Sequence, residues 1–180
     1  MKVTFITGNE HKAAQVAAWL GHPVDHKKVD VDEIQSIDVA EVVRHKVRQA
    51  YAIVGSPVMV EDVALECDGL DGLPGPFVKW FLQSLGHNKL AQIAISTGSD
   101  RATVRIVYGI YDGKEITLFE ASVGGTLVAQ GRGERGFGFD FNFVPSGAAQ
   151  TFAEMTEAER QPFSHRAQAL KKVAEFLANA

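Results

Sequence analysis

The segment Thr7-Gly8-Asn9-Glu10-His11-Lys12 joins an apolar run, residues 2–6, to a helical pattern. Ala13, Val16, Ala17 and Leu20 recur there at i, i+3, i+4 and i+7. A strand that turns into a helix through a glycine offers backbone N–H groups to an anion, and Lys12 adds a full positive charge. The same residues also suit an ordinary strand–turn–helix corner, so the segment alone names no function. A second group, Glu61-Asp62, closes the fully apolar run 57–60. A buried unpaired carboxylate is costly, whereas the carboxyl ends of strands line the ligand crevice of open α/β sheets. Successive strand side chains point to opposite faces, so one acid of the pair, not both, is expected in the crevice.

Other cations and aromatics stand at element ends. Lys46 falls inside the apolar helical arc of Val39, Val42, Val43, Ala50 and Val54, where a lysine either snorkels outward or reaches a polar cleft. Lys79 follows the rigid loop Gly72-Leu73-Pro74-Gly75-Pro76 and enters a first helical turn, where a nearby anion would offset its unfavourable position against the dipole. Gly131-Arg132-Gly133-Glu134-Arg135-Gly136 matches G-x-G-x-x-G, yet Phe137-Gly138-Phe139-Asp140-Phe141 follows instead of a helix, so the dinucleotide-binding context fails. No GxxxxGK[ST] is present either. Phenylalanine faces beside a carboxylate do suit stacking a base and reading its edge, unless the rings enter the core. Ser164 is a natural N-cap for a last helix, and His165 and Arg166 lie at its start.

The elements that must position these residues alternate. Strands are expected over 2–6, 24–31, 57–60, 103–111 and 115–123, the last two joined through the hairpin signal Asp112-Gly113. Helices are expected after residue 12, from a capping box of Asp38 and Glu41 to Gly55, over 77–85 and 89–96, and around Leu170, Val173, Ala174 and Leu177. Loops are expected over 69–75 and 131–138. The order β-α-β-α-β-α-α-β-β-α implies an α/β fold on a mixed β-sheet with flanking helices. At 180 residues the chain is read as a single domain, 1–180, of one lobe or two.

Hydrophobic content of 46% and charged content of 22% belong to the soluble globular class. No stretch reaches the roughly 20 apolar residues of a membrane span, so no membrane partner is expected. A strand rather than a charged leader at the N-terminus points to a cytoplasmic location. Cys67 is the single cysteine, which excludes an internal disulfide and a CxxC site. A net charge of −4 argues against nucleic acid as a partner.

Together the blocks TGNEHK, VEDVAL, GLPGPFVKWF, GFGFD and SHR resemble, in this order and spacing, the inosine triphosphate pyrophosphatases of the Ham1/RdgB type. The resemblance covers residues 2 to 178. It implies an elongated two-lobed fold with a central nucleotide cleft, a homodimer, and a Mg2+ requirement. The activity it implies is hydrolysis of non-standard purine nucleoside triphosphates (ITP, dITP, XTP) to the monophosphate and pyrophosphate. By position, Glu33 and Asp62 match the family's metal carboxylates, and Asp62 its catalytic base, which leaves Glu61 facing away and of minor weight. Thr7, Asn9 and Lys12 would hold the triphosphate, with Lys46 and Lys79 beside it, and Gly8, Glu10, His11 and Val63 would count among the substrate-binding residues. Phe137, Gly138, Phe139 and Asp140 would hold the base together with His165 and Arg166, and Arg160 and Ser164 would count among the substrate-binding residues. A donor such as Arg166 aimed at the purine O6 would leave adenine poorly matched.

Three positions depart from the family pattern. Phe141 stands where proline is usual, Arg160 where lysine is common, and Phe139 where tryptophan or tyrosine is frequent. These departures bear on base selectivity rather than on the triphosphate. Two alternatives remain at this stage: a non-catalytic nucleotide-binding sensor, and a pyrophosphatase of different base specificity.

Overall fold

The computed structural model describes residues 1–8, 10–21 and 24–179, without the side chain of His11. Of the expected site residues, Asn9 and the His11 side chain therefore lie outside the described residues. Strand β1, Thr4–Ile6, leads into helix α1, Glu10–Leu20, and then into β2, His26–Lys27. The latter is far shorter than the expected 24–31, because both its residues are exposed and charged residues on both sides give the run no apolar face to bury.

Helix α2, Val39–Val54, begins where Asp38 accepts from the Ala40 N–H at 2.9 Å and ends at Gly55, whose φ of 71° is left-handed. The expected capping box does not close. Glu41 instead accepts from the Ser36 hydroxyl at 2.6 Å, and that hydroxyl also receives the Asp38 N–H at 3.0 Å. Strand β3 runs Val58–Cys67, well past the expected end at residue 60. Glu61-Asp62 therefore lies inside the strand, with Val63, Ala64 and Leu65 continuing its apolar run.

A short pairing strand β4, Pro74–Gly75, precedes helices α3, Val78–Leu85, and α4, His87–Ser96. Strands β5, Arg101–Tyr111, and β6, Ile116–Leu127, form the expected hairpin, its turn fixed by Asp112, whose carboxylate accepts from the N–H groups of Lys114 and Glu115 at 2.8 Å each. Strand β7, Phe143–Pro145, helix α5, Glu157–Arg160, and helix α6, His165–Asn179, complete the order. The seven described strands make one mixed sheet in the order β2-β1-β3-β5-β6-β7, with β4 paired to β3. Strand β1 is parallel to both neighbours, and the β3–β4 and β6–β7 pairs are antiparallel. The α/β class on a mixed sheet is the one the element order implies.

The chain divides into two compact units. The first comprises residues 1–62, 106–121 and 166–180, around Phe5, Val16, Val43, Met59, Tyr108 and Leu170. The second comprises 63–105 and 122–165, around Leu65, Leu90, Val104, Phe143 and Phe152. Cys67 belongs to this second core and is fully buried, which pushes its thiol up to about 12. No described helix is long and apolar enough to cross a membrane.

Candidate functional site

Strand β3 carries the two acids of the first unit to opposite faces, and each meets its own set of cations. Asp62 accepts from the Lys46 ammonium at 3.0 Å, and Glu33 pairs with the same ammonium at 2.9 Å. Lys46 reaches this point from inside the apolar stripe of α2, so it serves a polar cluster rather than snorkelling to bulk water. Burial works against its charge, but Asp62 and Glu33 together raise its pKa above the usual lysine value. Glu33 sits in an irregular segment that α2 also holds: the Asp32 N–H donates to Gln49 Oε1 at 2.7 Å, and Gln49 Nε2 donates back to Asp32 Oδ2 at 3.4 Å. Gln49 follows Lys46 by three residues, on the same side of the helix.

On the other face Glu61 is buried, its side chain only 4% exposed. Lys12 donates to Glu61 Oε1, and Arg166 Nη1 donates both to Glu61 Oε2 and, at 3.1 Å, to the Tyr108 hydroxyl. Glu61 does face away from Asp62, as expected, and that face holds two cations, from α1 and α6. Burial alone would raise the Glu61 pKa, yet Arg166 and Lys12 outweigh it and hold the carboxyl down at about 2. Burial and Glu61 raise the Tyr108 hydroxyl well above its usual value. The Arg166 charge is reinforced despite its burial.

A carboxyl with a folded pKa below its unfolded one stabilises the native state above the unfolded value and loses that contribution as pH falls through the folded value. For Glu61 the window runs from 4.5 down to about 2. Its contribution is on the order of 3 kcal/mol. Urea unfolding should therefore show a midpoint that drops steeply below pH 4.5, with the slope in this window much reduced in Glu61→Gln. An equal slope in both proteins would assign the acid sensitivity to other carboxylates.

In the second unit the glycine-rich loop serves its own backbone. Gly133 has φ +91°, and a Cβ there would lie 2.2 Å from the Ala153 carbonyl carbon, so only glycine fits against that segment. The loop leads to Asp140, which is 2% exposed and accepts from Arg160 Nη1 and Nη2 at 3.0 Å each. Its Oδ2 also receives the Phe137 N–H at 3.2 Å. The Arg160 guanidinium lies 4.4 Å from the Phe152 ring centroid. This fork-on-carboxylate pairing uses the planar geometry that lysine lacks. Phe139 packs into the core, whereas Phe137 is 65% exposed and is the ring of this loop left with a face for stacking.

The remaining expected residues fall as follows. His165 is buried beside the Phe152 ring, at 6.1 Å between centroids. Ser164 precedes α6 with extended backbone, φ −75° and ψ 111°, as an N-cap does. Lys79 is exposed in the first turn of α3, its ammonium 5.1 Å from the Trp80 ring centroid. Val63 packs against the second core. Thr7 donates its N–H to Lys27 O at 3.0 Å, which fixes the start of the turn.

The structure thus gathers Glu33, Lys46 and Asp62 at one point and Lys12 with Arg166 at another, while Phe137, Asp140 and Arg160 meet in the second unit. Tyr108, Phe152 and Gln49 are the partners that sequence reasoning missed, and none of the three carries a signal in the sequence, whereas Glu61 is marked by a charge beside an apolar run.

Two carboxylates within about 3 Å of one ammonium bring hard oxygen donors to a common point. Among the described residues no group of three or more His, Cys, Asp or Glu gathers to enclose an ion. This donor set fits magnesium, which takes one or two carboxylates and completes its shell with phosphate oxygens and water.

Inosine triphosphate pyrophosphatase 2 of Trypanosoma cruzi is 44% identical over 94% of this chain and 88% of its own length. The inosine triphosphate pyrophosphatase of Schizosaccharomyces pombe is 42% identical over 97% and 94%. In fold, a HAM1 protein from Coxiella burnetii superposes with a TM-score of 0.87 over the whole of both chains at 22% identity. The Staphylococcus aureus Ham1 protein does so at 0.81 over 99% of each and 23% identity. The model of the Ham1 family matches residues 3–176, a span that contains both charge clusters of β3 and the Asp140–Arg160 pair, and the chain belongs to that family.

Proposed function

We propose that this protein hydrolyses non-standard purine nucleoside triphosphates, ITP, dITP and XTP, to the monophosphate and pyrophosphate. The observation that carries this reading is the Lys46 ammonium shared by Glu33 and Asp62, in a chain of the Ham1 family. Relatives at 44% and 42% identity bear the name inosine triphosphate pyrophosphatase, which supports the substrate class.

Lys12, Lys46 and Lys79 offset the roughly four negative charges of the triphosphate. Asp62 accepts the proton of an attacking water whose oxygen bonds to the α-phosphorus, and the bond from that phosphorus to the α–β bridging oxygen breaks to release pyrophosphate. Glu33 and Asp62 would hold magnesium, which when bound would neutralise phosphate charge and acidify a neighbouring water. Phe137 supplies a face for the purine, and guanidinium donors suit the O6 acceptor that hypoxanthine and xanthine present and adenine lacks. A polar mismatch of that kind can discriminate by factors of about 10⁴ or more. A homodimer belongs to this reading through the resemblance alone.

A panel of ITP, dITP, XTP and the four standard triphosphates, incubated with magnesium and resolved by chromatography, tests the reading. ITP should give IMP and pyrophosphate. IDP and orthophosphate would place the attack on a different phosphorus, and nucleotide binding without turnover would make the protein a sensor.

A further inference from the structure

Glu61 is the one residue of the first unit's charge clusters to which neither the motif nor the expected chemistry assigns a role. Its environment argues for more than stability. A carboxylate buried in mid-strand pays heavily for desolvation, and an apolar residue in such a place is often neutral or better for folding. Stability alone would also be met by one counter-ion, whereas Glu61 holds two, drawn from segments 49 and 105 residues away in sequence. Arg166 is further constrained by the Tyr108 hydroxyl, so its guanidinium is fixed by two acceptors from β3 and β5.

Exposure rises outward from the carboxylate, from 4% for the Glu61 side chain to 15% for Arg166 and 28% for Lys12. The acid therefore lies beneath the cations rather than between them and solvent.

We propose that Glu61 is a positioning residue, whose buried carboxylate fixes the Lys12 ammonium and the Arg166 guanidinium where each meets the anionic nucleotide. This rests on the reading above that Lys12 and Arg166 touch substrate. Glu61 itself touches neither substrate nor reacting atoms. It acts by removing the freedom of two long side chains before the substrate arrives, and small misplacements of such groups can cost about 10²-fold in rate.

The test is a set of double-mutant cycles on the full chain. Glu61→Gln is made in the native protein, in Lys12→Met and in Arg166→Lys, and kcat/KM for ITP is measured per folded molecule. In the native background the loss should be about tenfold or more. It should be at least about threefold smaller in each of the other two, where one of the two cations that Glu61 would place has already lost its charge or its fork and only the other still depends on it. Equal losses in all three backgrounds would reduce Glu61 to a structural role and overturn the proposal, as would a native-background loss below about twofold.

Glu61→Asp keeps the charge but withdraws it by one methylene, and covers the case in which Glu61→Gln does not fold. It should show the same loss of kcat/KM with native-like thermal stability, and full activity in it overturns the proposal. If Lys12→Met and Arg166→Lys each leave kcat/KM within about twofold of native, the substrate reading fails and the proposal with it. If they lower it and Glu61→Gln does not, the proposal fails alone.

Discussion

Asp62→Asn is expected to lower kcat for ITP by about 10²-fold or more while leaving the fold intact. The asparagine keeps the shape of the side chain but removes the proton acceptor, and it removes one of the two negative charges around Lys46. Lys46 still has Glu33 at 2.9 Å, so the buried ammonium is not stranded. Strand pairing is unaffected because the backbone of β3 does not change. A thermal melt within a few degrees of native, together with the collapse of kcat, is the expected signature. Retained turnover within a few-fold of native would move the base elsewhere and leave Asp62 as a partner of Lys46 only.

Arg166→Ala should act first on stability. Removing the guanidinium leaves the Glu61 carboxylate buried with Lys12 as its remaining ion pair and strips the Tyr108 hydroxyl of a donor. Breaking a buried ion pair from one side costs about 3–5 kcal/mol, and the surviving lysine places the expected loss near about 3 kcal/mol. Urea titration read by circular dichroism should show a lower midpoint at an unchanged slope. A loss under about 1 kcal/mol would mean that the pair is no better than an exposed one. On the folded fraction, the ratio of kcat/KM for ITP to that for ATP should fall under the proposal that a guanidinium donates to O6. A parallel fall for both substrates would assign Arg166 to the phosphates and leave base reading to Arg160 and the 137–140 loop.

The legible part of the fold was the part written in periodicity. Helix α2 follows from the stripe of Val39, Val42, Val43, Ala50 and Val54 with Asp38 and Gly55 at its ends, and the β5–β6 hairpin from Asp112-Gly113. From sequence, strand β3 reads as ending at residue 60, because a run of strand residues normally stops at paired acids. Here it continues because Arg166 and Lys12 on one face, and Lys46 on the other, neutralise them. Those partners lie 16 to 105 residues away, and no local pattern reports them. Strand β7 and helix α5 span three and four residues, too few for either periodicity to emerge.

In the candidate site the same division holds. Lys46 was visible as a charge in an apolar stripe, and Asp62 through its motif. The ion pairs of Glu61 are not visible in the sequence, because alternation tells which face a side chain takes but not what waits there. Arg160 was seen as a departure from the family pattern. Its fork on Asp140 and its stacking on Phe152 are tertiary facts.

The sealed thiol of Cys67 turns the chain into its own clock. With the only cysteine buried in the second core, and its thiol at about 12, alkylating reagents meet no thiolate in the closed state at neutral pH. Labelling must wait for the surrounding segment to open, so its rate counts openings of that unit without any introduced probe. A nucleotide that binds only the closed form would slow the label in proportion to its saturation. Ligand affinity could then be read from a mass shift of one adduct per chain, with no turnover required.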